Sequence, residues 1–375
     1  METSRIAVLG AGNTGFAIAA NLALAGHDVL LWEHPDFASA LDPIRDTLTI
    51  HLDGAARIGA AKLAAVTTDP AVALDFADVL LGSVPSYAQA AFAALLTPYL
   101  RAGHLLALLP GNLGTFVFRK ALRAAGTEAV MVAESDTAPY VCRKTGPDRA
   151  TIFGVVSGLG VGVWPSGQTN TAMTALETLF PGARAYRNAL QAGLSALNPV
   201  VHPPGVLMNA GRIERSRGEF WFYEEGVTDS VVRAIAALDG ERRAIGAALG
   251  MTLSPVAAAF ADAGFGPMSS DLWAVINGSR MLTALRAPGS VNTRWLTEDI
   301  PYGLATWAAL GDALGVPTPL MDGLIALASA ALGIDFAAEA RGLDALGLAG
   351  LDAGGMLDVA MGDDAEAVGD MTPGT

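Results

Sequence analysis

Two short segments in the second half of the chain carry residues suited to acid–base chemistry. His202 lies in the apolar, proline-rich segment NPVVHPPG, and Arg294 and Asp299 stand five positions apart before a predicted helix. An imidazole exchanges protons near neutral pH, and a nearby carboxylate stabilises its protonated form. A guanidinium binds a carboxylate through two parallel hydrogen bonds. These residues predict proton transfer on a carboxylate-bearing substrate, although a structural histidine and a surface ion pair also explain the local sequence.

The N-terminal segment carries a dinucleotide-binding pattern. Gly10, Gly12 and Gly15 form GAGNTG directly after a predicted strand, and Asn13 and Thr14 open the helix that follows. Such glycines permit a tight turn, let the backbone approach a pyrophosphate and allow the helix to pack closely on the strand. The free N–H groups at the helix start attract phosphate. The pattern predicts a bound NAD(H) or NADP(H), the plainer interpretation being a glycine-rich structural turn.

Two other strand ends are expected to contact the same cofactor. Glu33 ends the second predicted strand, 23 positions after Gly10, where a carboxylate accepts hydrogen bonds from the adenosine ribose. Its negative charge disfavours the extra phosphate of NADP(H), so we predict that NAD(H) is preferred and that NADP(H) is the alternative. Ser83, Val84 and Pro85 follow another predicted strand, where parallel sheets place ligands. A solvated strand end and a plain strand-to-helix turn remain the other interpretations.

The distribution of lysines favours a catalytic histidine. The three lysines are Lys62, Lys120 and Lys144, so the second half of the chain has none. Several two-domain Rossmann dehydrogenases, such as ketopantoate reductases, use a lysine of their second domain as proton donor. Because this chain has no lysine there, a histidine must supply that proton, and His202 is the candidate.

The order of predicted elements indicates the fold. Apolar, strand-like runs alternate with Ala/Leu-rich helical stretches in the first half, and long helices follow after about residue 185. We predict an α/β fold, with a Rossmann-type doubly wound parallel sheet in residues 1–185 and an all-α substrate-binding and catalytic domain in residues 186–350. Thr151–Trp164 is expected to add strands at the sheet edge, and residues 351–375 to form a loosely ordered acidic tail. The predicted strands are Arg5–Leu9, Val29–Glu33, Val79–Ser83, Leu105–Leu109 and Ala129–Ala133.

Composition limits the class of protein. Of 375 residues, 52% are hydrophobic and 16% are charged, and the net charge of −14 argues against nucleic acid as a partner. We find no uninterrupted apolar run of about 20 residues that would span a membrane and no secretory signal pattern. Cys142 is the single cysteine, so neither a disulfide nor a cysteine-based metal site is expected. We expect a cytoplasmic protein that binds small molecules, holds no metal and is apolar enough to form a homodimer.

Two longer motifs resemble those of a known family. NPVVHPPGVLMNAG and TRWLTEDIPYG, in this order and at this separation, resemble the opine dehydrogenases, a family that includes octopine and nopaline dehydrogenases. The resemblance extends from about residue 4 to about residue 345. It implies an NAD(P)H-dependent enzyme that joins an amino acid to a 2-oxo acid such as pyruvate and reduces the resulting imine.

The resemblance also implies roles for individual residues. His202 would be the general acid/base, and Asp299 would orient it. The residues that the resemblance places at the substrate are Arg294, which binds a carboxylate, Asn198, and more weakly Asn112 and Ser135.

Two other functions explain the same sequence. One is an NAD(P)-dependent enzyme that reduces a 2-oxo acid, or oxidises a 2-hydroxy acid, and needs no amine. The other is a dinucleotide-binding protein without catalytic activity. Measuring NADH oxidation with pyruvate, with and without amino acids, separates these functions from an opine dehydrogenase. The reductase needs no amine, and the binding protein gives no turnover.

Overall fold

The apolar runs of the first half form the strands of one large sheet. The computed structural model describes residues 3–127 and 129–363. In β1 (Arg5–Leu9) and β2 (Asp28–Trp32) every residue but the first is buried, as expected for strands covered on both faces. The other strands of the described residues are β3 (Thr49–Gly54), β4 (Gly59–Lys62), β5 (Ala65–Thr67), β6 (Val79–Gly82), β7 (Leu105–Leu108), β8 (Met131–Ser135), β9 (Tyr140–Gly146), β10 (Arg149–Val155), β11 (Gly160–Trp164) and β12 (Arg184–Ala185).

The main sheet has eight strands in the order β12-β11-β8-β7-β6-β1-β2-β5. All neighbouring strands in it are parallel except β8 and β11. This arrangement confirms the predicted Rossmann-type sheet. Leu9 aligns with Trp32 on one side and with Gly82 on the other, and Gly82 aligns with Leu108. The loops after β1, β2, β6 and β7 therefore leave the sheet at one common edge.

A smaller sheet has four strands in the order β4-β3-β10-β9 and packs against helix α1 (Asn13–Leu24). The prediction that Thr151–Trp164 extends the edge of the main sheet is therefore wrong for its first part, because β10 belongs to the small sheet. Burial accounts for the difference. Fully buried residues alternate with less buried ones along β10, which suits a sheet covered on one face, whereas all five residues of β11 are buried.

Beyond β12 the described residues form helices, apart from one isolated bridge between Trp221 and Arg286. This part of the chain confirms the predicted all-α second half. Among the described residues, no helix combines the length and the apolar character that crossing a membrane requires. The helices after α1 are α2 (Pro70–Phe76), α3 (Gln89–Leu96), α4 (Gly114–Ala124), α5 (Thr169–Leu179), α6 (Ala189–Leu194), α7 (Asn198–Met208), α8 (Ala210–Ser216), α9 (Asp229–Ala248), α10 (Val256–Asp262), α11 (Leu272–Asn277), α12 (Arg280–Thr283), α13 (Arg294–Thr297), α14 (Ala305–Leu314), α15 (Pro319–Leu332), α16 (Leu343–Leu346) and α17 (Ala353–Met361).

The segment predicted as a loosely ordered tail contains helix α17, so that prediction is wrong for residues 353–361. The Asp352 side chain caps the helix, and Met356 is completely buried on its inner face. The helix packs onto the first half of the chain, where the Ser166 hydroxyl donates to the carbonyl of Met361 at 3.1 Å. The rest of the predicted tail, residues 364–375, lies outside the described residues.

Candidate active site

A cleft of about 600 Å³ opens at the edge of the main sheet where β1, β2, β6 and β7 end. The loops after these strands line one wall, and residues of α7 and α13 line the other. Most of the predicted site residues meet in this cleft, although they come from distant parts of the sequence. Those that line it are Gly10, Gly12, Asn13, Thr14, Glu33, Ser83, Val84, Pro85, Asn112, Asn198, His202, Arg294 and Asp299.

The glycine-rich loop fits a dinucleotide phosphate. Gly10 has a φ of +105°, a conformation that favours glycine. A Cβ atom on Gly12 would meet nothing within 4 Å, so the backbone there is open to a ligand. Gly15 packs against the loop and does not line the cleft. A Cβ atom on Gly15 would lie 1.8 Å from the carbonyl oxygen of Gly10, so this position needs glycine. No side chain caps α1, so its first N–H groups are available to a phosphate.

Glu33 holds the same loop from the end of β2. One carboxylate oxygen accepts from the backbone N–H of Ala11 at 2.7 Å, and the other accepts from the backbone N–H of His34 at 2.7 Å. The side chain is nearly buried at the cleft wall. A negative charge is therefore fixed beside the glycine-rich loop, where the sequence predicts the adenosine ribose.

Helix α7 positions two of the predicted residues. Asn198 begins the helix and His202 lies four positions later, so both side chains share one face. Pro203 and Pro204 follow inside the helix and lack an N–H group, which leaves two helical hydrogen bonds unmade. The helix is nevertheless buried along most of its length, so packing holds His202 in place.

His202 and Asp299 form a buried pair. The Nδ1 atom of His202 lies 2.7 Å from Oδ2 of Asp299, and the two residues are 8% and 6% exposed. The imidazole stacks on the Trp295 ring, with 4.4 Å between ring centroids and 10° between their planes. The hydroxyl of Tyr223 lies 3.3 Å from Nε2. Because Asp299 occupies Nδ1, Nε2, which the Tyr223 hydroxyl also approaches, is the nitrogen that can exchange a proton with a substrate.

Burial sets the protonation of the groups around this histidine. It raises the pKa of Asp299, and the hydrogen bond with His202 opposes that rise. Burial, followed by the negative charge of Asp299, raises the pKa of Tyr223 well above that of an ordinary phenol. The Tyr223 hydroxyl therefore stays protonated at neutral pH and remains a hydrogen-bond partner of the imidazole.

Arg294 reaches the cleft but already has a partner. Its Nε donates to Oε2 of Glu298 at 2.7 Å, and Nη2 forms an ion pair with the same oxygen. The guanidinium side chain is 61% exposed, whereas the Glu298 side chain is 10% exposed. The other oxygen of Glu298 accepts from the backbone N–H of Ser86 at 2.8 Å, and so connects α13 to the loop after β6.

Arg341 holds the same loop from its other side. The guanidinium donates to the carbonyl of Ser86 at 2.8 Å, to the carbonyl of Asn112 at 2.7 Å and to the side-chain oxygen of Gln89 at 2.7 Å. Burial lowers the pKa of Arg341 to about 10, so the group stays charged at neutral pH. Both backbone polar groups of Ser86 are therefore bound by side chains from the helical half, namely Glu298 and Arg341.

The two weaker substrate-contact predictions differ in outcome. Asn112 lines the cleft with a φ of +50°, and its Nδ2 donates to the hydroxyl of Ser86 at 3.0 Å. Ser135 does not line the cleft, and its hydroxyl donates to the carbonyl of Thr137 at 2.6 Å. Ser135 is therefore not among the residues that the structure brings to the cleft, because this buried side chain closes the turn after β8. Its contact with substrate stays a prediction.

Comparison with known protein families and with individual proteins identifies relatives of this chain. Residues 185–332 match the family described as NAD/NADP octopine/nopaline dehydrogenase, alpha-helical domain, and residues 5–110 match the NAD-dependent glycerol-3-phosphate dehydrogenase N-terminus. Over 95% of its length the chain is 34% identical to the opine dehydrogenase of Arthrobacter sp. (strain 1C), of which it covers 98%. The chain belongs to the opine dehydrogenase family. The resemblance inferred from the two motifs is thus confirmed.

Solved structures share the fold of this family member. An octopine dehydrogenase in complex with NADH and agmatine matches it with a TM-score of 0.76 at 20% identity, over 96% of this chain and 98% of that one. A yersinopine dehydrogenase with bound NADP⁺ gives a TM-score of 0.71 at 17% identity, over 96% and 98% of the two chains. In both comparisons the match extends over the Rossmann-type half and the helical half together.

Several residues at or beside the cleft of this opine dehydrogenase family member were not predicted from the sequence. Trp295 and Glu298 lie inside the motif TRWLTED, so their position between Arg294 and Asp299 was the available signal. Tyr223 and Arg341 reach the site from segments with no recognisable pattern, since only the packing of the helices brings them there.

Proposed function

We propose that the protein joins the amino group of an amino acid to the carbonyl carbon of a 2-oxo acid such as pyruvate, and reduces the resulting imine with NADH to a secondary amine. One observation carries this proposal. The buried pair of His202 and Asp299 faces a glycine-rich, dinucleotide-binding loop across a single cleft. The family membership of the chain supports the same reaction.

His202 is the proton donor and acceptor in this proposal. Attack of a neutral amine on the carbonyl carbon gives a carbinolamine, whose hydroxyl group must take up a proton to leave as water. Nε2 of His202 supplies that proton, since Nδ1 is engaged by Asp299. The negative charge of Asp299 stabilises the imidazolium before the transfer, and Trp295 holds the ring plane.

The nicotinamide cofactor, when bound, supplies the hydride that reduces the imine carbon. The chain's own contribution is to hold that cofactor by the loop of Gly10 and Gly12 and by the start of α1. The Ser83–Ser86 loop, which Glu298 and Arg341 bind from the helical half, fixes the cleft wall at the end of β6. These two contacts join the helical half, which carries His202, to the cofactor wall.

We further propose a preference for NADH over NADPH. The Glu33 carboxylate is tied by the N–H groups of Ala11 and His34 and cannot swing away freely. A ribose hydroxyl donates to this carboxylate, whereas a ribose phosphate would be repelled by it.

The test compares the wild-type enzyme with His202→Ala and with a matched control, His51→Ala. His51 lies on the small sheet outside the cleft, with a side chain that is 40% exposed. Wild-type enzyme should oxidise NADH only when both an amino acid and pyruvate are present. His202→Ala should lower that rate by roughly 10²- to 10⁴-fold, the usual contribution of a general acid, and should still bind NADH. Full activity in His202→Ala, or oxidation of NADH by pyruvate alone at the full rate, would contradict the proposal.

The cytoplasmic location and the homodimer stay predictions from the sequence. Light scattering of the purified protein measures its mass in solution and decides between monomer and dimer.

A further inference from the structure

A second guanidinium lines the cleft from strand β9 of the small sheet. Arg143 lies in the middle of β9, and the side chains of its neighbours Cys142 and Lys144 contact helix α1. The thiol of Cys142 donates to the carbonyl of Asn13 at 3.5 Å, and the ammonium of Lys144 lies 3.7 Å from the centre of the Phe16 ring. Because side chains alternate along a strand, Arg143 faces away from α1 and into the cleft.

The charge of Arg143 is not balanced by the protein. Within residues 3–127 and 129–363, the hydrogen bond of its guanidinium is to the neighbouring carbonyl of Cys142 at 2.9 Å, and it makes no ion pair. Arg294, the other guanidinium lining the described cleft, already pairs with Glu298. An exposed arginine without a carboxylate partner retains its full capacity to bind an anion.

Arg143 also lines the same cleft as His202 and Asp299. Its positive charge opposes the rise in the pKa of Tyr223, so the two side chains interact electrostatically. The Tyr223 hydroxyl in turn lies 3.3 Å from Nε2 of His202. Arg143, Arg294 and His202 thus line one cleft, in which both substrates of the proposed reaction must meet.

We infer that Arg143 binds the α-carboxylate of the amino donor and thereby selects amino acids over simple amines. The inference rests on the proposed function, in which each of the two substrates brings one carboxylate. Arg294 lies on the same short segment as Asp299, so its charge holds the 2-oxo acid whose carbonyl must meet His202. The carboxylate of the second substrate is left to the other guanidinium that lines the cleft, which is Arg143.

The probes are L-leucine and isoamylamine, which differ only in the carboxylate and have no other charged group besides the amine. Arg143→Gln should raise KM for L-leucine by roughly 10- to 150-fold, the equivalent of losing one hydrogen-bonded charge pair. KM for isoamylamine, KM for pyruvate and the Kd of NADH should not change. Arg143→Lys should recover part of the loss, because an ammonium keeps the charge but not the planar fork.

The matched control is Arg149→Gln. Arg149 is an exposed arginine on the neighbouring strand β10, lies outside the cleft and pairs with Asp53 at 3.7 Å. Arg149→Gln changes the net charge by the same amount as Arg143→Gln and should leave the KM values of all substrates and the Kd of NADH at their wild-type values. An equal rise in KM for both amines, a rise confined to pyruvate or NADH, or no rise at all in Arg143→Gln would overturn the inference.

A binding measurement separates failure of this inference from failure of the proposed function. Calorimetry of L-leucine and isoamylamine with the enzyme–NADH complex needs no turnover. Absence of any amine-dependent NADH oxidation in the wild-type enzyme contradicts the proposed function. Independently, stronger binding of L-leucine than of isoamylamine that disappears in Arg143→Gln supports the role of Arg143, and any other pattern contradicts it.

Discussion

Replacing Asp299 with asparagine removes the negative charge beside His202 and keeps the size of the side chain. In the wild-type protein the carboxylate and the imidazole are joined by a hydrogen bond of 2.7 Å, and the two side chains are only 7% and 10% exposed. Solvent therefore cannot replace the lost charge. The amide oxygen can still accept a hydrogen bond from Nδ1, so the ring should keep its place on Trp295 while its protonated form loses a counter-charge.

The magnitude follows from that single contact. A hydrogen bond to a charged group contributes about 1.5–3 kcal/mol, and about 1.4 kcal/mol corresponds to a tenfold change in rate. We expect Asp299→Asn to lower kcat for reductive condensation by roughly 10- to 150-fold. Because the imidazolium is destabilised, the pH at which kcat begins to fall should also move to a lower value.

Steady-state kinetics at saturating amino acid, 2-oxo acid and NADH over a range of pH measure both effects. Asp262→Asn is the control, since Asp262 forms an ion pair with Arg184 at 3.4 Å and does not line the cleft. The Kd of NADH, from fluorescence, should be unchanged in both variants. A wild-type kcat together with a wild-type pH profile in Asp299→Asn would show that Asp299 does not support the protonated imidazole.

Three further predictions concern the cofactor, the substrate and stability. Glu33→Gln keeps an oxygen for the Ala11 N–H but removes the charge, so kcat/KM for NADPH should rise relative to NADH; an unchanged ratio would contradict the assignment of Glu33 to the ribose. Arg294→Ala should raise KM for the 2-oxo acid by roughly 10- to 150-fold and Arg294→Lys by less, because a bidentate charge pair is lost; unchanged KM values would remove Arg294 from the site. Burial raises the pKa of Asp136 from 3.8 to about 6, so the folded state binds the proton more tightly and loses stability as pH rises between those values. Asp136→Asn should remove this loss, which amounts to about 3 kcal/mol in the free energy of unfolding. Denaturant unfolding at each pH measures it, and equal pH dependence in both proteins would show that Asp136 is not responsible.

The sequence was most informative where local pattern and chemistry coincide. Continuous apolar runs predicted the buried parallel strands, and the glycine spacing predicted a loop in which Gly10 needs a positive φ and Gly15 needs the absence of a Cβ atom. His202 and Asp299, 97 residues apart, were paired through the family resemblance. No local pattern would have brought them together, because their contact depends on how α7 packs against the segment after α13.

The errors have physical causes that operate beyond the local sequence. β10 was assigned to the wrong sheet because a short Val- and Gly-containing strand does not show which partner will cover it. The helix Ala353–Met361 was missed because its two early glycines disfavour a helix, and burial of Met356 outweighs that preference. Arg143 was overlooked because its role is visible only once β9 is known to turn one face towards α1 and the other towards the cleft.

In the proposed reaction, the hydride of NADH is delivered to the carbon of an imine that forms from two substrates. The most direct test incubates the enzyme with NADH deuterated at the transferable position, an amino acid and pyruvate, and reads the product masses by mass spectrometry. We expect one product whose mass equals the sum of the two substrates, less one water, plus one deuterium and one hydrogen. Deuterium recovered in a 2-hydroxy acid, with the amino acid unchanged, would contradict it.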